Sequence, residues 1–486
     1  MSPSLTPLIA VLLPLAGAPL VALLDKRPNL REAATLITGI GLLAVVISLV
    51  PEVLAGARPQ IHLLEILPGL NLSLHVEPLG MLFAVIAASL WIVTSIYAIG
   101  YMRGHHEENQ TRFFFFFAVA IAAAMGVAFA GNLLTLFVFY EILTLSTYPL
   151  VTHHRTPEAM RGGRIYMGIL LSTSIAFLLF AIIWTWSLTG TVDFKTDGIL
   201  AGKTDTTTIT ILLVLFAFGT GKAALMPLHR WLPAAMVAPT PVSALLHAVA
   251  VVKAGVFTIV KVTVYIFGLD LLHDTGASSW LVYLSGTTII VASLVALTKN
   301  NLKARLAYST ISQLSYIILG AALANDLGKI GGSLHIATHA FGKITLFFCA
   351  GAILVATHKS EISDMKGIGR QMPLTMFAFL IGSLSIIGLP PFAGAWSKWY
   401  LILGAIEAQH YFAVAVLALS SLLNIAYLLP IVANAFFAST ADEEHGGIEE
   451  APLACVIPLL FTAACCLALF LYPDPWLDLV RHIGVF

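Results

Sequence analysis

Charge is scarce in this sequence. Its 486 residues include 25 Lys plus Arg and 25 Asp plus Glu, so only 10% of positions are charged, against roughly 25% in soluble domains. The formal net charge is zero, which leaves no excess of basic residues for nucleic acid, and none is expected as a partner. Cysteine is scarcer still. Cys349, Cys455, Cys465 and Cys466 all lie in apolar runs without CxxC spacing, so neither a disulfide, a metal site nor an iron–sulfur cluster is expected. Also missing are a GxGxxG phosphate loop and a recognisable nucleophile motif. No catalytic residue and no cofactor is therefore expected in this chain, and whether it serves an enzyme, as part of a proton-translocating oxidoreductase, stays open.

What fills the chain is apolar: 59% of residues are hydrophobic and the mean hydropathy is +0.93. About fourteen runs approach the roughly 20 residues that cross a bilayer. An all-α polytopic membrane protein is the fold class these runs predict, since a backbone in lipid must satisfy its own hydrogen bonds. The first run has nothing basic before it and is followed by Lys26, Arg27 and Arg31, so it reads as a retained span, not a signal peptide. Of the 25 basic residues, fifteen fall in one set of loops, five in the opposite set and five inside spans. The positive-inside rule then puts both termini on the outer face.

The five basic residues inside spans are Lys222, Lys253, Lys261, Lys343 and Lys398, and one acid, Glu141, accompanies them. A lysine at mid-membrane costs about 2.5 to 3.5 kcal/mol on insertion scales, so such residues usually line a wet path or the interior of a bundle. Lys261 lies near a helix end, where its stem can reach the headgroups. A salt bridge between Glu141 and Lys222 would be a purely structural use of two charges, but it would leave Lys253, Lys343 and Lys398 without acids. Burial disfavours the charged form of an amine, and a row of such amines is a plausible proton relay. His335, His339 and Lys343 recur at intervals of four, along one face of a helix. Imidazole both takes and gives protons near neutral pH. A metal reading is weak, because no acid or cysteine completes a ligand set.

Two spans are broken. Residues 219–255 carry Lys222, His247 and Lys253 together with Pro227, Pro233, Pro239 and Pro241. Proline lacks the amide hydrogen of a continuous helix, so a helix to about Trp231, a tight connection and a new helix from about Pro241 are expected. Pro390 and Pro391, between Gly388 and Gly394, interrupt a later run just before Lys398. Paired breaks in two halves of a membrane chain point to inverted repeats around a transported ion. Spans 4–8 and 9–13 would be the five-helix repeats, with broken helices 7 and 12 corresponding. The expected division is 1–112 for spans one to three, 113–268 and 281–437 for two proton half-channels, and 438–486 for the last span.

Five segments carry a resemblance: RFFFFFAVAIAAAMGVAFAGNLLTLFVFYEILTLSTY, GKAALMPLHRWLPAAMVAPTPVSALLHAVAVVKAG, NNLKARLAYSTISQLSYIILG, HIATHAFGKITLFFCAG and GLPPFAGAWSKW. The chain resembles the antiporter-like membrane subunits shared by respiratory complex I, membrane-bound hydrogenases and Mrp-type cation/proton antiporters, and looks most like the D-type member of the Mrp antiporters. The resemblance implies fourteen spans with two inverted five-helix repeats. It implies a relay of Glu141, Lys222, His247, Lys253, His335, His339, Lys343 and Lys398, in which Glu141 and Lys222 gate an inner half-channel and Lys398 leads outward. Ala234 stands where many members have an acid, and Tyr140 where the family has Trp before its glutamate. The chain ends soon after its last run, so the shorter members are the better match.

A bacterial inner-membrane subunit of a multi-subunit Na⁺(K⁺)/H⁺ antiporter is the expectation that follows. It would conduct protons beside other membrane subunits, with the metal cation handled by the whole complex. The alternatives are a subunit of a redox-driven pump of the complex I or hydrogenase kind, a subunit of an inorganic-carbon uptake complex, and a scaffold whose charges are static.

Overall fold

Apolar runs of this length satisfy their backbones as helices, and helices are what they form. The computed structural model describes residues 4–67, 69–438 and 447–485. The first part of the chain forms α1 (Thr6–Leu23), α2 (Pro28–Leu54), α3 (Pro78–Gly104), α4 (Gln110–Ala128), α5 (Leu133–Val151) and α6 (Pro157–Thr173), which runs through a π-helical turn into α7 (Phe180–Thr189). Next come α8 (Thr206–Gly219), the short α9 (Trp231–Ala234) and α10 (Thr240–Ala244), then α11 (Val251–Val262) and α12 (Leu269–Thr275). The remainder is α13 (Ser279–Thr298), α14 (Leu302–Ala322), α15 (Asp326–Thr357), α16 (Ile368–Gln371), α17 (Pro373–Ile387), α18 (Gly394–Glu407), α19 (Tyr411–Phe437), α20 (Leu453–Leu471) and α21 (Asp474–Arg481). Several starts are set by side chains that accept from the first free amides: Glu77 for α3, Asn132 for α5, Asn301 for α14 and Asn325 for α15.

Among the described residues, ten helices are long and apolar enough to cross a membrane, or eleven if the pair Val251–Phe267 and Leu269–Thr275, bent by 81°, is one span. Other expected spans are interrupted or polar. The helical parts α8 and α17 have 14 and 15 residues, while α14 buries Ser309, Thr310, Ser312, Gln313 and Ser315. Polarity keeps α14 from reading as lipid-facing; it turns those side chains towards the other helices.

The first break differs from its expected form. Helix α8 stops at Gly219, not near Trp231, and Lys222 sits in the 3₁₀ turn Gly221–Ala223. Ala224 has φ +54° and the Met226–Pro227 bond is cis. The connection onward is not tight, since it holds α9 and a second 3₁₀ turn, but a helix does restart at Thr240–Pro241. Close packing fixes this unwound stretch: a Cβ on Gly255 of α11 would lie 2.3 Å from the Ala223 nitrogen. At the second break α17 ends at Ile387, Gly388 takes φ +88°, the Pro390–Pro391 bond is cis and α18 begins at Gly394.

One element has no counterpart in the sequence reading. Strands β1 (Gln60–Leu67) and β2 (Leu70–His75) form an antiparallel hairpin, pairing Gln60 with His75 and Leu67 with Leu70. Leu70, Leu72 and Leu74 alternate with Asn71, Ser73 and His75, the period-two signal of a strand. Ser4 donates its amide to the Gln60 carbonyl (3.0 Å) and Arg58 contacts the Val485 carbonyl (3.5 Å). Residues near both ends of the described chain therefore contact the start of β1 and the segment just before it. The centre is α15, 32 residues long, packed against α3, α14, α17, α18 and α20 and buried over most of its length.

Candidate functional site

Lys222 is fully buried. Its ammonium donates to the Tyr140 carbonyl (2.8 Å) and to Thr144 Oγ1 on α5, and lies 3.2 Å from the centroid of the Tyr140 ring. The Lys222 amide donates to Tyr140 Oη (3.1 Å), and Trp231 Nε1 donates to the Gly221 carbonyl (2.9 Å). Unwinding at the break thus presents the lysine to three acceptors on one face of α5, a carbonyl, a hydroxyl and a π-face.

Glu141 follows Tyr140 on α5, and both its carboxylate oxygens are buried without a hydrogen-bond partner among the described residues. No ion pair between Glu141 and Lys222 forms among the described residues. Successive helical residues point about 100° apart, and the lysine faces the side occupied by Tyr140 and Thr144. The acid is left with unfilled acceptors one residue away from the groups that hold the cation.

A second group of residues is joined directly. Lys253 on α11 is fully buried, with its Nζ 2.7 Å from His339 Nδ1 on α15. A lysine and an imidazole at this distance share one proton position that either can fill. His339 stacks on His335, one turn earlier, at 5.8 Å. His335 in turn bonds Ser397 Oγ through Nδ1 (2.8 Å) and Gln313 Oε1 through Nε2 (3.2 Å), and stacks on Tyr316 at 5.3 Å. Lys398, next to Ser397, lies 4.9 Å from the centroid of the same Tyr316 ring. It donates to the Ile387 carbonyl (2.8 Å), where α17 ends, and to Ser421 Oγ (3.1 Å). It also borders a cavity of about 420 Å³ lined by Gly388, Pro390, Trp396 and Trp399. Hydrogen bonds and ring contacts together lead from Lys253 to Lys398 beside this cavity.

Lys343 shares α15 with the two histidines but turns away, donating to Ser309 Oγ (2.5 Å) and the Leu306 carbonyl (3.3 Å) on α14. From Ser309 a further contact leads to Tyr427 Oη (2.8 Å). His247 falls on the π-helical turn Leu245–Val249; its side chain lies outside the described residues. Pro227, Pro390 and Pro391 stand in the two interruptions.

Lys261 does not reach for headgroups. It is fully buried, 3.2 Å from Glu77 Oε1 and 3.0 Å from the Ala130 carbonyl. Glu77 also accepts from Tyr265 Oη (2.8 Å) and from the amides of Leu79 (2.8 Å) and Gly80 (2.7 Å), capping α3. Glu141 is therefore not the one buried acid: Glu77 and Glu32 are each 5% exposed. Glu77 stands just ahead of an apolar run in the sequence, where it reads as a loop residue, and the hairpin folds over it. The connecting groups Thr144, Ser309, Gln313, Tyr316 and Ser397 were also missed, because single hydroxyls and amides are common in spans. Clustering of five such residues in α14 was the available signal.

Comparison with known proteins gives this geometry its class. The family described as "NADH:quinone oxidoreductase/Mrp antiporter, TM" matches residues 130–424, a segment that contains every candidate relay residue. The family "NADH-Ubiquinone oxidoreductase (complex I), chain 5 N-terminus" matches residues 68–114. The N-type subunit of the NADH-quinone oxidoreductase of Desulforudis audaxviator is 33% identical over 377 residues, 76% of this chain and 74% of that protein. Chain 5 of the NAD(P)H-quinone oxidoreductase of a Synechocystis species is 32% identical over 345 residues, 68% of this chain and 49% of its own length. The A/B-type subunit of a probable K⁺/H⁺ antiporter of Rhizobium meliloti is 29% identical over 428 residues, 86% of this chain and 42% of that protein. The chain thus spans about half the length of the latter two relatives.

Among solved structures, a chain of the Mrp complex from a Dietzia species superposes with a TM-score of 0.87 at 23% identity, covering 99% of this chain and 96% of the other. A chain of an archaeal membrane-bound sulfane sulfur reductase, a respiratory membrane complex, superposes with a TM-score of 0.88 at 25% identity, covering 99% and 97%. The protein belongs to the NADH:quinone oxidoreductase/Mrp antiporter transmembrane family. Its class is the proton-translocating, antiporter-like, multi-pass membrane subunit of complex I or Mrp type.

Proposed function

We propose that this chain conducts protons as a D-like member of a multi-subunit Na⁺(K⁺)/H⁺ antiporter in a bacterial inner membrane, with both termini on the outer face. The observation that carries the reading is the run of contacts from Lys253 through His339 and His335 to Ser397 and, by way of the Tyr316 ring, to Lys398, in which lysine and imidazole can take and release protons. In this scheme Glu141 and Lys222 gate uptake into the first half-channel, residues 113–268. His247 and Lys253 receive the proton, and the second half-channel, residues 281–437, passes it to Lys398. Lys343 branches from this line towards α14.

Partners are other membrane subunits, and the metal cation crosses at the level of the assembled complex. Arg103, Arg112 and Arg155 at one end of the helices favour that end as the inner face. A redox-driven pump is the second reading, favoured by 33% identity to a quinone oxidoreductase subunit. Purification of the tagged chain from its native membrane in mild detergent, with mass spectrometry of its companions, separates the two. Small membrane subunits alone support the antiporter; flavin or iron–sulfur proteins move the same relay into a redox pump.

A further inference from the structure

At the end of the helices that carries Arg103, Arg112 and Arg155, a titratable cluster lies outside the run just described. Glu107, in the loop between α3 and α4, has a side chain only 6% exposed. Its oxygens lie 3.0 and 3.1 Å from His154 Nε2, 3.4 Å from His105 Nδ1 and 3.9 Å from His153 Nε2. His153 and His154 directly follow α5, the helix of Glu141 and Thr144.

His105 also packs on Tyr101 of α3 (5.7 Å between ring centroids) and on His358, which follows α15 (6.2 Å). Arg112 of α4 donates to the His153 carbonyl, and the Glu108 carbonyl meets His153 Nε2 at 3.0 Å. Arg103 is occupied by Glu32, and Arg155 follows the histidines. Lys303 of α14 donates to the Ala238 carbonyl (2.6 Å), in the connection that leads out of the first break.

The two adjacent imidazoles differ in environment. The His154 side chain is 37% exposed and that of His153 only 2%. Its hydrogen bond to Glu107 raises the pKa of His154 above the usual 6.5, whereas burial pushes His153 down to about 4. Burial works to raise the Glu107 carboxyl, but the His154 hydrogen bond and the three imidazoles together hold it below its usual value. An exposed imidazole whose protonated form is favoured therefore adjoins a buried one whose protonated form is disfavoured, ring centroids 5.7 Å apart, and His153 Nδ1 is buried without a hydrogen-bond partner among the described residues.

Buried hydroxyls continue inward along α5. Thr147 Oγ1 meets Tyr166 Oη of α6 at 2.5 Å, and one turn further in, Thr144 holds the Lys222 ammonium. Thr147 lies about one turn inside the end of α5, and His153 just beyond it.

We propose that Glu107, His105, His153 and His154 form the proton-collecting mouth of the first half-channel, drawing protons from bulk water and passing them along Thr147 and Tyr166 towards Lys222. This rests on the relay reading above and supplies the uptake site that it lacks. His154 takes a proton from water or buffer while Glu107 stabilises the imidazolium. The proton then passes inward, and each group returns to its starting state.

The test is proton flux in membrane vesicles that hold the native assembled complex, with Glu107→Gln and with His154→Gln, as pH is varied on the side of this cluster. Flux should fall at least about fivefold near pH 9, where protons are scarce, and less than about twofold near pH 6, with recovery on adding imidazole as a mobile proton carrier. A loss that is equal at every pH and is not rescued by imidazole would make the cluster a structural pin and overturn the proposal. So would unchanged flux near pH 9. Lys222→Ala, measured alongside, separates the two levels: retained flux there sinks the relay itself. Lost flux there, with normal mouth variants, sinks only the mouth.

Discussion

The two broken spans hold their lysines alike, each by one carbonyl, one hydroxyl and one aromatic face, and differ in what lies beside them. At the first break, Lys222 is held by one carbonyl, one hydroxyl and one aromatic face, with the unfilled carboxylate of Glu141 beside it. At the second, Lys398 is the end of a row in which each side chain touches the next, as far back as Lys253. A cation held by neutral groups, beside an acid with no hydrogen bond among the described residues, forms an arrangement that small movements can remake. A row of stacked and hydrogen-bonded rings is already connected. Under the proposed relay, the first half would switch and the second would conduct.

The comparison breaks most sharply at the imidazoles. His335→Gln together with His339→Gln keeps hydrogen-bonding amides in the row but removes groups that exchange protons, so flux should drop at least about tenfold while the complex still assembles. Vesicle flux normalised to complex content measures this, and normal flux would turn the row into packing. Lys261→Met comes next and concerns stability. It leaves Glu77 buried with its cation gone, a loss of about 3 to 5 kcal/mol when one partner of a buried pair is removed. A clear fall in the melting temperature of the detergent-purified complex is expected; an unchanged value would mean that the pair is not a clamp. Ser397→Ala should have the smallest effect. Removing one neutral hydrogen bond to His335 costs about 0.5 to 1.5 kcal/mol, seen as a flux reduction of roughly two- to tenfold. No change would show that the proton bypasses the hydroxyl.

The helical class, the two breaks and the lysines were legible because burying an ammonium group or interrupting a helix in lipid is costly wherever it occurs. The exact form of the breaks was not. Pro227 and Pro233 mark a discontinuity, but Ala224 in the left-handed region and the contact of Gly255 with Ala223 decide that α8 ends at Gly219. Partners across sequence distance were equally hidden. Lys261 and Glu77 are 184 residues apart, and nothing in either segment alone distinguishes a clamp from a snorkelling lysine. The hairpin at Gln60–His75 was readable from its alternation, yet in a chain of apolar runs it looked like an ordinary loop. Glu107 and its histidines sit between spans, where charged residues are expected, so only their convergence marks them out.

Lys253 joins the two halves, and its removal tests the central claim most directly. Proton flux should be measured in vesicles carrying Lys253→Ala, with the amount of assembled complex determined in the same membranes. Flux at background with normal assembly is the predicted result. Flux equal to that of the unaltered protein would mean that protons do not pass along the row from Lys253 to Lys398.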